Sequence, residues 1–361
     1  MAAKINMEKR LAKLRNFMKE NNLHCVLIHK PENRRYFSGF SGSAGILVIS
    51  NEENHLLTDF RYIEQAALQA GQYEILRYTN NMGKVLSDLV QKLNVKRIGF
   101  EADFLTYDGY QALISDLPSA LLLPVQLDAL RMVKDENEIV LIKKAVKIAD
   151  DAFSQILSFI KPGMSEREVA LELEYRMRKL GAEKPAFDTI MASGKRGALP
   201  HGRASEKIIE PGDLVTMDFG AVYQGYHSDI TRTICMGKAT ARQQEIYEIV
   251  LAAQLAGVQA VVTGKVGKEI DAISRNIIES AGFGDFFGHG LGHGLGLNIH
   301  EDPRLSPANI HTVLKENMVV TVEPGIYLPE WGGVRIEDTV LVNAEGCQIL
   351  TASKKQLIEL Y

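Results

Sequence analysis

Four acids in two matched settings are the residues of this chain best placed to do chemistry. The run Val215-Thr216-Met217-Asp218, followed by Phe219-Gly220, returns as Val320-Thr321-Val322-Glu323, followed by Pro324-Gly325. A second acid comes a short turn later in each copy, Asp229 in the first and Glu337 in the second, and a threonine closely follows each. Residues equidistant from a hairpin's centre face each other at about 5 Å between Cβ atoms. Asp218 and Asp229 are equidistant from the Tyr223-Gln224 junction, and Glu323 and Glu337 from Glu330, so each pair is expected to face across its own hairpin. Crowded carboxylates raise one another's pKa unless a cation neutralises them. Two divalent ions about 3.5 to 4 Å apart, as in two-metal hydrolases, fit between two such hairpins. Any one of these acids alone reads as a solvated strand end; four in matched positions point to a metal site.

Histidine is the next constraint. His289, His293 and His300 lie within twelve residues, among the alternating glycines of Gly288 to Glu301. The spacing is not the HExxH of a zinc-protease helix, and the glycines predict a loop or irregular strand whose backbone passes close to a ligand. A phosphate-cradling loop is the rival reading, but no lysine or Ser/Thr follows the last glycine and no clear strand precedes the run. Acid, base or ligand roles suit these histidines better. His201, in Leu199-Pro200-His201-Gly202, reads by itself as a loop residue. Arg335 stands two residues before Glu337, hence on the same strand face, where it can orient carboxylates or bind an anion; otherwise it is an ordinary surface arginine.

The elements that must hold these groups follow from periodicity. Helical spacing from Met7 to Glu20 leads into a strand at Cys25 to Ile28, a hairpin at Ile46 to Ser50 and His55 to Thr58, a helix from Tyr62 to Gln69 and a strand at Arg97 to Phe100. This predicts an α/β domain over 1–125, a linker over 126–133 and a second domain over 134–361. A long amphipathic helix with Ile139, Ile142, Val146, Phe153 and Ile160 on its apolar face opens that second domain, and Pro162-Gly163 ends it. Gly163, Glu168, Val169 and Gly181 match Gly264, Glu269, Ile270 and Gly282 at one constant offset. The order helix, helix, acidic hairpin therefore occurs twice, which implies two similar halves about a pseudo-twofold axis on which the four carboxylates converge.

Composition narrows the partners. A chain of 361 residues exceeds what one core usually supports, and a net charge of -4 favours neither nucleic acid nor an anionic membrane. Three scattered cysteines, without CxxC spacing, argue against a disulfide framework or a thiolate zinc site. Met1 to Arg10 lacks the apolar core of a signal peptide, and no stretch approaches the roughly 20 apolar residues of a membrane span, so a cytoplasmic setting is expected.

Together, Asp218, Asp229, His293, Glu323 and Glu337, with LPHG at Leu199 to Gly202 and GGVRIED at Gly332 to Asp338, resemble the pita-bread metallopeptidases, nearest to Xaa-Pro dipeptidases (prolidases) and Xaa-Pro aminopeptidases. Asn33 to Gly45 and Thr58 to Tyr62 resemble the family's creatinase-type N-terminal domain, so the likeness spans the chain. One departure is His227, where relatives often carry cysteine. The resemblance implies an α+β fold, a creatinase-type α/β domain followed by a pseudo-twofold pita-bread catalytic domain, in a homodimer. It implies two divalent metal ions, Mn2+ or Co2+ foremost with Zn2+ compatible, held by Asp218, Asp229, His293, Glu323 and Glu337.

By the same resemblance Glu323 is also the proton shuttle, His201 and His300 donate to the substrate, His289 shapes the proline pocket and Arg335 acts from behind the ligands. Arg304 reads evenly as a clamp for a free proline carboxylate or as a rim arginine. The implied activity is hydrolysis of the bond before proline, on Xaa-Pro dipeptides first and, as the alternative, on longer peptides with proline second. A non-catalytic binding protein of the same fold, a methionine-removing aminopeptidase and a metal-independent creatine-type hydrolase are the other readings.

Overall fold

Side-chain caps mark where several helices begin. Asp135 accepts from the Glu138 amide while the Glu138 carboxylate accepts from the Asp135 amide, and the same reciprocal box joins Ser165 to Glu168 and Thr240 to Gln243. The computed structural model describes residues 7–361, which divide into a unit ending at Arg131 and a unit from Met132 to Tyr361.

The first unit is a six-stranded mixed sheet with helices. Its central strand Cys25–Ile28, buried at all four positions, runs antiparallel to Ile46–Ser50 and parallel to Arg97–Glu101. The expected hairpin pairs Val48 with His55. A 3-10 turn at Phe60–Tyr62, capped by the Asp59 carboxylate, precedes the helix Ile63–Gln69, so that helix starts one residue later than its pattern suggests. Sequence reading expects a linker over 126–133, and the boundary between the units falls within it. Asp128–Arg131 forms a 3-10 turn, and the buried Arg131 guanidinium bonds Asn33 and, at 2.9 Å, Asp128. A buried cation needs such partners, which ties the segment to the first unit.

The second unit carries the repeat. The helices Glu166–Lys179 and Gly267–Ser280 have the same length and the same offset as their flanking glycines. Gly163 and Gly264 share φ of +93°, and their amides bond Ile209 O and Leu314 O at 2.9 Å each. Ser165 supplies a full capping box, whereas Val266 has no polar side chain and keeps only the Glu269 half, a 3.0 Å bond to its amide. Preceding them are Glu136–Ile156 and Ala241–Ala260. The first of these ends at Ile156, short of the expected Ile160, and turns carry the chain on to Pro162.

Each half closes on a sheet of similar order. In the first, Ile190–Ser193, Leu214–Phe219 and Ile230–Met236 lie side by side, with Ile358–Leu360 added at the edge. In the second, Gly292–Gly294, Val319–Val322 and Asp338–Val342 take the corresponding places. Both hairpins keep one register from base to tip. The second pairs Val322 with Asp338 and Gly325 with Arg335, so Glu323 and Glu337 are level, centred on Glu330 as their spacing predicts. The first pairs Asp218 with Thr231 and Tyr223 with Tyr226, which corrects the expected centre by one residue. Gln224 and Gly225 both take positive φ, 46° and 78°, the two-residue turn whose twist suits a hairpin. Asp229 is therefore a diagonal neighbour of Asp218 rather than its direct opposite.

What joins the hairpins is polar and buried. Arg232, on the first, donates to Asp338 Oδ1 on the second at 2.9 Å, to the Glu337 carbonyl and to Ser353 O at 2.7 Å. Asp338 also accepts from Thr351, Gln254 and Lys355. Burial would raise its pKa, but Arg232 and Lys355 outweigh that and hold it below the ordinary value. Removing one member of such a pair strands the other charge. Asp338→Ala should lower unfolding stability by about 3 to 5 kcal/mol, measured by denaturant titration of chelated protein; a loss under about 1 kcal/mol would show that the hub contributes little.

Candidate metal centre and substrate cleft

Three carboxylates meet behind the hairpins. Oxygens of Asp218, Asp229 and Glu337, all buried, lie within 4.8 Å of one another. Threonines that follow the acids cross between the hairpins to set them. Thr231 donates to Glu337 Oε2 at 2.8 Å and its carbonyl accepts the Glu337 amide at 3.1 Å, while Thr339 donates to the Asp229 carbonyl at 2.7 Å. Each half thus orients the acid of the other. Asp218 Oδ1 and Glu337 Oε1 are buried and without a hydrogen-bond partner. A carboxylate oxygen left bare in the interior is costly unless something cationic faces it.

His293 closes the cluster. Its Nδ1 donates to Gly294 O at 3.0 Å, which leaves the Nε2 lone pair facing Asp229 Oδ2 at 3.5 Å and Glu323 Oε1 at 3.4 Å. A lone pair aimed at two carboxylates is the arrangement of an imidazole ligand whose other nitrogen is held by a carbonyl. The flanking glycines permit it. A Cβ on Gly292 would sit 2.0 Å from Thr321 O and one on Gly294 2.4 Å from Asp302 O. Sequence reading expects these glycines to let backbone approach a ligand; what they admit is the carbonyls of neighbouring strands.

Electrostatics agree with a cation site. Burial, then Glu337, Asp218 and Glu323, push the Asp229 pKa well up; burial, then Glu323 and Asp218, do the same for Glu337. Glu323 rises to about 8, chiefly through burial, with Arg335 opposing and Asp218 adding. Burial and then His300 lower His293 to about 3, so its ring is neutral. Oxygen-rich donors with one imidazole fit hard or borderline divalent ions.

Beside the cluster a chain of hydrogen bonds leads into the cleft. Arg335 Nη2 donates to Asp218 Oδ2 at 2.6 Å and Nη1 to Tyr327 OH at 2.8 Å, while Nε meets Thr231 Oγ1 at 3.1 Å. Arg335 is not a surface arginine: it is buried, because three partnered oxygens solvate it in place of water. His289 Nδ1 donates to Gly290 O, so Nε2 accepts from Tyr327 OH at 2.8 Å. Burial and then Arg335 lower this imidazole to about 4.

The cleft measures about 670 Å³ and is lined by His201, His289, His293, His300, Arg304, Arg335, Asp218, Asp229 and Glu323. Phe187, Ile190, Pro200 and Ile299 add apolar wall. His201, His300 and Arg304 are exposed, and the His300 ring stands edge-on to His293 with centroids 4.4 Å apart. Glu337 lies just behind, in contact with the lining acids.

Every sequence-derived candidate is thus in or against one cleft. Sequence reading missed Tyr327; it noted the threonines after Asp229 and Glu337 without a role for them, and it gave none to Thr321, which donates to Glu323 at 3.1 Å. The hairpin centre at Glu330 carries the signal for Tyr327: it puts Tyr327 opposite Gly333, diagonal to Arg335. His227 has a local role, both its amide and Nδ1 donating to Gly296 O in the glycine loop.

Comparison with known proteins follows this geometry closely. Residues 10–133 match the Creatinase/Prolidase N-terminal domain and residues 140–344 match Metallopeptidase family M24. A Xaa-Pro dipeptidase of Pyrococcus furiosus is 45% identical over 98% of this chain and 100% of its own. Among solved structures, a Xaa-Pro dipeptidase from Bacillus anthracis is 48% identical with a TM-score of 0.96, covering 98% of this chain and 100% of that one. An X-Pro aminopeptidase from Thermotoga maritima is 40% identical with a TM-score of 0.90, covering 97% and 99%.

The raised carboxyl pKa values fix the sign of a pH effect. For Glu323, ordinarily near 4.5 and here about 8, the stabilising contribution is present below about 4.5 and is lost as pH climbs to about 8, because the folded state resists losing that proton. Divalent ions remove the penalty by pairing with the ionised form. The gap in thermal midpoint between Mn2+-saturated and chelated protein should therefore widen from pH 5 to pH 8, read by calorimetry. A gap that is flat or narrows would mean these acids do not bind the ion.

Proposed function

Since the chain belongs to metallopeptidase family M24, it is a metallopeptidase, and we propose that it hydrolyses the peptide bond preceding proline, with Xaa-Pro dipeptides as its main substrates. The observation that carries this reading is the juxtaposition of the buried acid cluster, with its two bare oxygens, and the neutral His289 held by Tyr327 in the same cleft. Asp218, Asp229, His293, Glu323 and Glu337 would hold two divalent ions, with Mn2+ or Co2+ preferred on donor chemistry and Zn2+ also compatible. When bound, such ions supply Lewis-acid polarisation of the scissile carbonyl and acidify a water.

The chain's own groups do the rest. Glu323 would accept a proton from the attacking water and pass it to the imino nitrogen of proline as that bond breaks. A tertiary amide has no N–H for an enzyme to grip, so the proline ring must be placed by shape and the carbonyl by donors. His289 with Tyr327 walls the ring, and His201 and His300 at the exposed edge donate to substrate oxygens. Arg335 keeps Asp218 oriented. Arg304, exposed at the rim, pairs with the free carboxylate of a dipeptide. The same reading places the protein in the cytoplasm as a homodimer with no nucleic-acid or membrane partner. Three free cysteines fit a reducing setting; among the described residues no helix is long and apolar enough to cross a membrane.

Xaa-Pro aminopeptidase activity is the second reading, favoured by the likeness to the Thermotoga maritima structure and by a cleft whose mouth has exposed Asp188 and Arg203. Turnover of Ala-Pro against Ala-Pro-Ala separates the two. The dipeptide is expected to be cleaved faster, and faster cleavage of the tripeptide would reverse the order. Arg304→Ala should raise KM for Ala-Pro by roughly 10- to 100-fold, the scale of one charge-assisted hydrogen bond, and leave Ala-Pro-Ala nearly unchanged. Chelation should abolish both activities; activity that survives it would point to metal-independent chemistry, and metal-loaded protein without peptidase activity to a binding role.

A further inference from the structure

The backbone from Phe287 to Leu291 leads from a 3-10 turn at Gly284–Phe286 to the strand Gly292–Gly294 that carries His293. It contains Gly288 and Gly290, so its conformation is weakly set by local sequence. Two residues of the helix Gly267–Ser280 hold it. Arg275 grips Asp271 through both ends of its fork, Nε to Oδ2 at 2.7 Å and Nη2 to Oδ1 at 2.9 Å. The remaining donors reach the loop, Nη1 to Phe287 O at 2.9 Å and Nη2 to His289 O at 2.7 Å, and the guanidinium lies 4.3 Å from the Phe287 ring centroid. Asp271 Oδ1 accepts the Leu291 amide at 2.9 Å. Residues 287, 289 and 291 are alternate positions, those a neighbouring strand would bond on one edge. The ion pair stands in for that strand.

The other half braces its loop from a different position, Glu166 accepting the Ser193 and Ser205 amides and pairing with Arg196, which donates to Arg203 O. At the repeat offset, Asp271 and Arg275 correspond to Ala170 and Glu174. Glu174 reaches the segment before Ile190–Ser193 through one bond, from Thr189 at 2.8 Å. The bonds to 287, 289 and 291 thus belong to the half that carries the histidine loop.

We infer that Asp271 and Arg275 form a positioning clamp that fixes where His289 stands in the cleft, so that recognition of the proline side of the substrate depends on a pair that need not touch it. The planar fork is essential, because one guanidinium must satisfy a carboxylate and two carbonyls at once; an ammonium cannot span them in the same geometry. The activity consequence rests on the proline-directed reading of the cleft, whereas the clamp itself does not.

Two measurements on the full chain separate these. Hydrogen exchange in chelated protein reads the clamp directly. Arg275→Gln should speed exchange at residues 287–291 by about tenfold or more while the strand Leu214–Phe219 is unchanged, and Arg275→Lys should fall between. Unchanged exchange at 287–291 in both variants overturns the clamp, whatever the enzyme's activity. A double-mutant cycle on Ala-Pro hydrolysis then reads coupling. Arg275→Gln should raise KM at least tenfold with a smaller change in kcat, and most of that effect should vanish in a His289→Ala background. Additive losses overturn the assignment to His289. If Arg275→Gln fails to fold, Arg275→Lys carries both arms. Wild-type protein that leaves Xaa-Pro substrates intact defeats the proline reading, and the exchange result still decides the clamp.

Discussion

Like-charged carboxyls packed within a few ångströms of one another, away from water, are the constraint to which the catalytic unit answers. Left alone such a cluster stays protonated, as the upward pKa of Asp229, Glu337 and Glu323 shows. Two kinds of positive charge are arranged around it. Arg335 lies inside the cluster and offsets Asp218 permanently. Arg232 lies outside and carries Asp338, the residue next to Glu337, so that this acid does not add to the repulsion. Bare oxygens on Asp218 and Glu337 leave room for the charge that the chain does not provide.

Duplication supplies the geometry for this at little cost in design. Two hairpins of like register bring acids from opposite directions, and each hairpin's threonine fixes an acid or its backbone on the other through Thr231 and Thr339. Only Glu323 is also held from its own half, by Thr321. The cluster therefore forms only when both halves are folded and docked, which links metal affinity to the stability of the whole unit.

The cleft beside the acids departs from the symmetry. Tyr327, His289, His293 and the Asp271–Arg275 pair belong to the second half, and the histidines and the ion pair have no counterparts at the repeat offset in the first. His201 is the first half's contribution, from a turn beside the strand Ile190–Ser193. A symmetric cage can hold ions, but a substrate with distinct ends needs walls that differ. The glycine-rich loop provides one wall at the cost of backbone order, and hydrogen bonds from neighbouring elements restore that order.

Spacing alone determined which acids belong together, that they come in two copies, and that Glu323 and Glu337 are level across a hairpin, because these follow from the period of a strand and the constant offset of a repeat. The repeated helices were legible for the same local reason, from the glycines Gly163 and Gly181, Gly264 and Gly282 that bracket them. Packing decided the rest. The first hairpin's true centre depended on two left-handed residues, Gln224 and Gly225, and moved Asp229 from opposite Asp218 to its diagonal. Within segment 126–133, Arg131 is buried because it reaches Asn33, a partner far away in sequence. Tyr327, Arg232 and Arg275 look unremarkable in a one-dimensional reading. Their importance arises from hydrogen bonds between residues brought together only when sheets, helix and loop are assembled, and no local propensity encodes which distant carbonyl or carboxylate a guanidinium will meet.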